Sequence, residues 1–122
     1  LSPDDARAYA LLGATYNSLK QERSAIPVLQ KALKLGSKST GTYLDLGVAY
    51  YNTKQFAEAA TYYQLVTQKA PKFATGYAYL GDAYLRSGQA AKAIDAYEAA
   101  LRIDPNNRIA KQGITRARAK TL

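Results

Sequence analysis

A glycine recurs every 34 residues along this chain of 122 residues, at Gly13, Gly47 and Gly81. A fixed period of this length indicates tandem structural repeats rather than one irregular globule. Several other sets keep the same register: Tyr9, Tyr43 and Tyr77; Leu12, Leu46 and Leu80; Tyr16, Tyr50 and Tyr84; Ala25, Ala59 and Ala93. The period divides the chain into copies at residues 6–39, 40–73 and 74–107. Residues 1–5 then form the end of an incomplete preceding copy, and residues 108–122 a polar capping helix.

Each copy has two stretches with apolar residues at helical spacing, which predicts a pair of amphipathic helices per copy. A glycine inside a helix costs about 1 kcal/mol relative to alanine. It is therefore expected where two helices approach closely. In the third copy we expect Gly81 on the first helix to face Ala93 or Ala100 on the second, because a larger side chain would push the pair apart.

Capping residues predict where several helices begin. Ser2, followed by proline and two acids, is typical of a helix start, and Asp104-Pro105 repeats the arrangement before the last segment. Thr53 and Ser87 lie where the second helices of copies two and three are expected to begin. In copy one, Pro27 falls inside the expected second helix, so that helix should start near Ser24 or bend at the proline.

This pattern of tyrosine, Leu-Gly, tyrosine, alanine and a closing proline resembles that of the tetratricopeptide repeat family. The resemblance covers 102 of the 122 residues. Tyrosine stands where the family commonly has tryptophan, and Ser37 stands where a closing proline is expected. The resemblance implies an all-α fold in a single domain, a right-handed α-solenoid of helix-turn-helix repeats with about seven helices.

In this family the first helices of successive copies line a concave groove. The resemblance therefore implies a protein-protein interaction scaffold that binds a peptide or a partner helix in that groove. The groove positions fall on Arg7, Ala10, Ala14, Asn17, Leu44, Asp45, Val48, Tyr51, Asn52, Thr75, Ala78, Asp82, Leu85 and Arg86. Tyr51 would face the groove and Tyr62 the convex back. The alternative for Tyr51 and Leu85 is that they pack against neighbouring copies.

Chaperone-binding members of the family hold a terminal carboxylate with lysines, asparagines and an arginine on the first helices. The matching positions here carry none of these residue types, so we expect no binding of chaperone C-terminal tails. Those positions are Ala10, Ala14, Asp45, Thr75 and Tyr79.

The net charge of +8 invites a different interpretation, because basic surfaces attract nucleic acid and anionic membranes without sequence preference. Copy one and residues 108–122 each carry +5. No nucleic-acid-binding motif is present, however, and basic residues on helices are mostly solvated surface. Binding of nucleic acid or an anionic membrane is therefore the weaker alternative.

An enzyme is not expected. The chain has no histidine to act as a base or metal ligand and no cysteine nucleophile. Asp45 and Asp82 could approach each other as a carboxylate pair, but a structural or binding role suits them better. No cofactor or metal site is predicted.

Self-assembly into a homo-oligomer is the main alternative function, because the incomplete first copy would leave an apolar end exposed.

The chain lacks an initiator methionine, and we expect a processed form or a piece of a longer array. No apolar run approaches the roughly 18 residues needed to span a bilayer. The lack of cysteine suits oxidising and reducing compartments alike. The location stays open, with the cytoplasm as default and a periplasmic or membrane-associated parent protein as other options.

Overall fold

The computed structural model describes residues 5–122, which form seven α-helices and no strand. The helices are α1 (Ala6–Ser18), α2 (Glu22–Lys34), α3 (Thr40–Asn52), α4 (Phe56–Lys69), α5 (Ala74–Arg86), α6 (Ala90–Ile103) and α7 (Arg108–Ala119). The predicted all-α fold of about seven helices is confirmed. The chain divides into two compact units: unit 1 ends at Tyr62, and unit 2 comprises Tyr63–Leu122.

Unit 1 is held together by close packing of α1 on α2. Gly13 lies so near Leu29 that a Cβ atom on the glycine would come within 2.4 Å of the Leu29 Cγ atom. Leu29 is fully buried beside Leu46 and Ala49 of α3. The glycine in copy one therefore has the expected role, because it lets the two helices approach.

In unit 2 a single side chain, Tyr97 of α6, fills the space between three helices. Its ring is fully buried. A Cβ atom on Gly81 of α5 would lie 2.6 Å from the Tyr97 ring, and one on Gly113 of α7 would lie 2.3 Å from the Tyr97 Cζ atom. The prediction that Gly81 faces Ala93 or Ala100 was wrong: the space that the glycine leaves holds an aromatic ring.

Helix α1 begins with an acidic cap and α7 with an amide cap. Asp5 accepts hydrogen bonds from the backbone N–H groups of Arg7 and Ala8, at 3.0 and 3.2 Å. Asn107 accepts one from the N–H of Ala110 at 3.0 Å. Asp104 ends α6 and does not cap α7. The predicted cap at Ser2 lies outside the described residues.

Thr53 and Ser87 were wrongly predicted to begin helices. They end α3 and α5, and the next helices begin three residues later, at Phe56 and Ala90. The reason is the turn that follows each of them, because the next residue takes a left-handed conformation that a right-handed helix cannot include.

The turns inside the three copies share one geometry. The left-handed residue occupies the same register position each time, at Lys20 (φ 61°), Lys54 (φ 65°) and Gly88 (φ 82°). The next residue then donates its N–H to a tyrosine carbonyl oxygen five residues earlier, at 2.8 Å in every copy. The three bonds are Gln21 to Tyr16, Gln55 to Tyr50 and Gln89 to Tyr84.

Pro27 lies inside α2. The helix begins at Glu22, two residues before the predicted start at Ser24, and the proline is its sixth residue, beyond the first turn. The N–H groups of Ser24 and Ala25 both reach the carbonyl oxygen of Gln21, which places the first turn ahead of the proline. The donor that Pro27 lacks would have bonded to the carbonyl of Arg23.

Candidate functional site

The first helices of unit 1, α1 and α3, pack against each other and carry most of the predicted groove residues. We use "α1–α3 face" for those predicted groove residues of these two helices that are half-buried: Ala10, Ala14, Asn17, Leu44, Asp45, Val48 and Tyr51. Arg7 and Asn52 are exposed. Asn52 donates a hydrogen bond to the Glu22 side chain at 3.3 Å, so its amide is engaged with the start of α2.

Asn17 and Asp45 link the two helices of this face. The Asn17 Nδ2 atom donates a hydrogen bond to the backbone carbonyl oxygen of Asp45 at 2.9 Å. The Asn17 Oδ1 atom is buried and has no hydrogen-bond partner among the described residues. Burial raises the pKa of the Asp45 carboxyl above its ordinary value of 3.8. The α1–α3 face thus combines apolar side chains with a half-buried carboxylate and one buried amide oxygen that has no partner among residues 5–122.

The ring of Tyr51 contacts Phe56 edge-on, with centroids 5.2 Å apart and planes at 71°. Tyr51 is half-buried, so part of the ring is available on the surface. Phe56 belongs to the same copy as Tyr51, so this contact is not the packing against a neighbouring copy that was the alternative, and the groove contact of Tyr51 stays a prediction.

Tyr62 belongs to an aromatic stack in unit 1. Its ring stacks on Tyr50 at 5.6 Å with planes 7° apart, and on Tyr43 at 6.4 Å. The Gln30 Nε2 atom donates to the hydroxyl oxygens of both Tyr50 and Tyr62 at 3.0 Å. These contacts join α2, α3 and α4, which is a structural role for Tyr62.

In unit 2 the predicted groove residues lie on α5. Thr75, Asp82 and Leu85 are half-buried and Arg86 is exposed. Ala78 is fully buried and belongs to the core cluster around Tyr97. The cluster includes Ala110, Ile114 and Ala117 of α7, so the last helix packs where an open surface was expected. We therefore leave Ala78 out of the candidate site.

Asp82 of unit 2 interacts with several polar groups. Its Oδ1 atom accepts a hydrogen bond from the Tyr97 hydroxyl at 2.5 Å. Burial raises the pKa of Asp82, while the bond from Tyr97 and the charges of Arg116 and Arg86 oppose that rise. The sequence interpretation missed this arrangement, because Asp82 and Tyr97 lie on different helices and spacing alone does not show that their side chains meet.

The Tyr97→Phe variant tests this bond, because it keeps the ring and removes the hydroxyl. We expect the free energy of unfolding at pH 7 to fall by about 1.5 kcal/mol, since a half-buried carboxylate loses its donor. The pKa of Asp82 is raised in the folded state and rises further without the donor. The loss should therefore shrink as the pH falls through that pKa and the folded protein takes up the proton. Denaturant unfolding at pH 7 and pH 3 measures the difference.

The Asp82→Asn background is the control, because it has no carboxylate to stabilise. There the pH dependence of the Tyr97→Phe effect should vanish. An equal loss at both pH values in the wild-type background would contradict the assignment.

The remaining chemistry of the described residues is sparse. They contain no group of three acidic, histidine or cysteine side chains able to hold a metal ion. None of the helices in residues 5–122 combines the length and the apolar character that a membrane span requires. The last helix is basic, and Arg118 pairs with Glu98 of α6 at 3.7 Å between exposed side chains, an arrangement that contributes little stability.

Comparisons with known proteins agree with this architecture. Models of the tetratricopeptide repeat match residues 6–36, 23–72 and 44–108. The crystal structure of MamA is 29% identical, with a TM-score of 0.92 over 98% of this chain and 70% of that chain. YrrB, described as a tetratricopeptide repeat protein with an unusual peptide-binding site, is 25% identical, with a TM-score of 0.82 over 97% of this chain and 58% of that chain.

A third solved structure shares the fold at lower identity. The first repeat domain of Spaghetti (RPAP3), bound to the HSP90 peptide SRMEEVD, is 20% identical, with a TM-score of 0.87 over 99% of this chain and 96% of that chain. A search of curated protein sequences gave no match.

Proposed function

Since the chain belongs to the tetratricopeptide repeat family, we propose that it is a protein-interaction scaffold that binds a peptide segment of a partner protein on its first helices. The principal surface is the α1–α3 face of unit 1. The half-buried residues Thr75, Asp82 and Leu85 of α5, with exposed Arg86, form a second contact surface on unit 2.

The observation that carries this proposal is the composition of the α1–α3 face. Leu44, Val48 and Tyr51 keep part of their apolar surface in solvent, and tyrosine is among the residues most often found at binding hot spots. Ala10 and Ala14 beside them leave room for a side chain of the partner. The description of YrrB as a peptide-binding repeat protein supports the same function at 25% identity.

A display library of random 12-residue peptides, selected against the wild-type protein in 0.3 M salt, tests the proposal. At that salt the nonspecific attraction of acidic peptides to this basic chain is largely screened. We expect selected peptides to bind at least tenfold more weakly to Val48→Glu and to Tyr51→Ala, because each change removes an apolar contact from the face.

Ile103→Glu is the matched control, since it places the same charge at an apolar residue of α6 that is 40% exposed. Circular dichroism establishes that each variant is folded. If every selected peptide bound the Val48→Glu, Tyr51→Ala and wild-type proteins equally, the α1–α3 face would not be the site.

Self-association is the second candidate. Leu11 and Leu19 of α1 are 70% and 59% exposed. Exposed leucines on one helix can mark a contact between two molecules of the protein. Light scattering over a concentration series separates the candidates, since a mass that stays monomeric removes this one.

A further inference from the structure

We propose that the α1–α3 face contains a subsite, formed by Asp45 and Asn17, for one cationic side chain of the bound peptide, a lysine or an arginine. The inference rests on the proposed function and specifies the chemistry of the partner. The net charge of the chain alone would predict the opposite, because a protein of charge +8 repels basic peptides in general.

The first observation is that the Asp45 carboxyl is half-buried without compensation. Burial is the cause of its raised pKa, and no neighbouring charge or donor opposes it. None of the hydrogen bonds or ion pairs of the described residues involves this carboxyl. A carboxylate that is partly removed from water and left unpaired lowers the stability of the fold.

Asp82 is a half-buried carboxylate of the same protein whose negative charge is compensated by its neighbours. It stands one residue after the recurring glycine of its copy, and it has a donor in Tyr97 and two nearby cations, Arg116 and Arg86. Asp45 has no equivalent of any of these groups. The contrast identifies Asp45 as the position where a cation is missing.

The second observation is the orphaned amide oxygen of Asn17. A carbonyl oxygen can only accept a hydrogen bond, so the atom of Asn17 that faces the Asp45 carbonyl must be Nδ2. This fixes Oδ1 as the atom left over, and it is buried with no partner in the described part of the chain. The buried amide oxygen without a partner and the unpaired carboxylate therefore belong to residues that are bonded to each other across α1 and α3.

A lysine or arginine side chain matches this arrangement. Its charged group supplies several donors together with the missing positive charge. Its aliphatic part can lie along apolar surface while the charge reaches the carboxylate. Leu44 and Val48, which are half-buried on the same face, offer that surface. A metal ion fits less well, because the described residues hold no group of three suitable ligands.

The test is a double-mutant cycle on peptides from the same library. We expect selected peptides that depend on Val48 to carry a lysine or arginine at one position. Changing that residue to glutamine should weaken binding to the wild-type protein at least tenfold. The Asp45→Asn protein should bind the original peptide at least tenfold more weakly than the wild type does. It should also bind the original peptide and the glutamine-substituted peptide with equal affinity.

Glu58→Gln provides the matched control. Glu58 is exposed on α4, and its replacement changes the net charge by the same amount. It should alter the affinity for the basic peptide less than twofold.

A second readout comes from stability. The pKa of Asp45 is raised in the folded state, so folding favours the protonated form and the wild-type protein loses stability as the pH rises through that pKa. Asp45→Asn removes this penalty. We expect its denaturation midpoint to exceed that of the wild type at pH 7, and the two midpoints to converge at pH 3. A variant that is more stable but binds the peptide less tightly would show that the carboxylate contributes to peptide binding and not to the stability of the fold.

The outcomes distinguish the two proposals. Peptides that need Val48 and Tyr51 but carry no basic residue, or a cycle without coupling between Asp45 and the peptide cation, would overturn the subsite and leave the proposed function intact. If no selected peptide depended on Val48 or Tyr51, the proposed function would fail, and the subsite with it.

Discussion

Replacing Gly113 with alanine should lower the free energy of unfolding by about 3 kcal/mol, at the upper end of the effects of overpacking a core. The new Cβ atom would lie 2.3 Å from the Tyr97 Cζ atom and 2.6 Å from its hydroxyl oxygen. Tyr97 cannot move away easily, because Gly81 of α5 lies close to the same ring and the hydroxyl is bonded to Asp82. Either α7 shifts outward or this hydrogen bond breaks.

Gly41→Ala provides the control for this prediction. Gly41 is exposed in the first turn of α3, and the nearest atom to an added Cβ would be Ser39 Oγ at 3.9 Å. Here only helix propensity changes, so the variant should gain a few tenths of a kcal/mol to about 1 kcal/mol. Guanidinium unfolding followed by circular dichroism measures both variants. A Gly113→Ala protein as stable as Gly41→Ala would show that α7 does not depend on this contact.

Replacing Pro27 with alanine should raise the free energy of unfolding by about 2 kcal/mol. A proline inside a helix costs about 3 kcal/mol relative to alanine, because it removes a donor and its ring crowds the preceding turn. Alanine also gives the unfolded chain more freedom, which offsets up to about 1 kcal/mol of the gain. Pro27 is exposed on α2, so the change leaves no cavity in the core.

The comparison for Pro27 is Pro71→Ala, since Pro71 lies in the turn between α4 and α5 and is exposed. A proline in a turn restricts only the unfolded chain, and its loss should lower the free energy of unfolding by roughly 0.4–1 kcal/mol. The two substitutions should therefore have opposite signs in the same unfolding experiment. A Pro27→Ala protein that was also destabilised would show that the neighbours of α2 have adapted to the proline.

The sequence predicted the number and order of the helices because its period is carried by many positions at once. Gly13, Gly47 and Gly81 share their register with tyrosines, leucines and alanines, so a chance match is implausible. All seven helices are present in residues 5–122. The role of Gly13 also follows from the sequence, since a glycine with helix formers on both sides needs a close neighbour.

The sequence did not predict which side chain fills the space beside Gly81. Helical spacing places Gly81 on the face toward α6, but Tyr97, Ala93 and Ala100 all lie on that helix within two turns. Which of them fills the gap depends on the exact offset of the two helices. The resemblance to the family assigned Ala78 to the groove. No period covers residues 108–122, so the contact of α7 with that part of α5 had no signal in the repeats.

The candidate site, too, could be predicted only in part from the sequence. The residues of the α1–α3 face could be assigned from the resemblance to the family, and their binding role is still a proposal. Whether the Asn17 amide oxygen and the Asp45 carboxylate have partners depends on which donors fold near them, and donors from distant parts of a sequence cannot be placed by spacing alone. The net charge of +8 predicts an acidic partner, which is the opposite of the cationic side chain proposed for this site.

The shared turn geometry bears on how a protein of this kind changes its length over evolutionary time. The hydrogen bond that closes each turn, such as that from Gln55 to Tyr50, joins residues of the same copy. Lys20 and Lys54 adopt there a backbone conformation that Gly88 adopts without strain, so the turn does not depend on one residue type. A gene duplication that adds 34 residues would therefore bring its own complete turn, and a deletion of the same length would remove one without damaging the others.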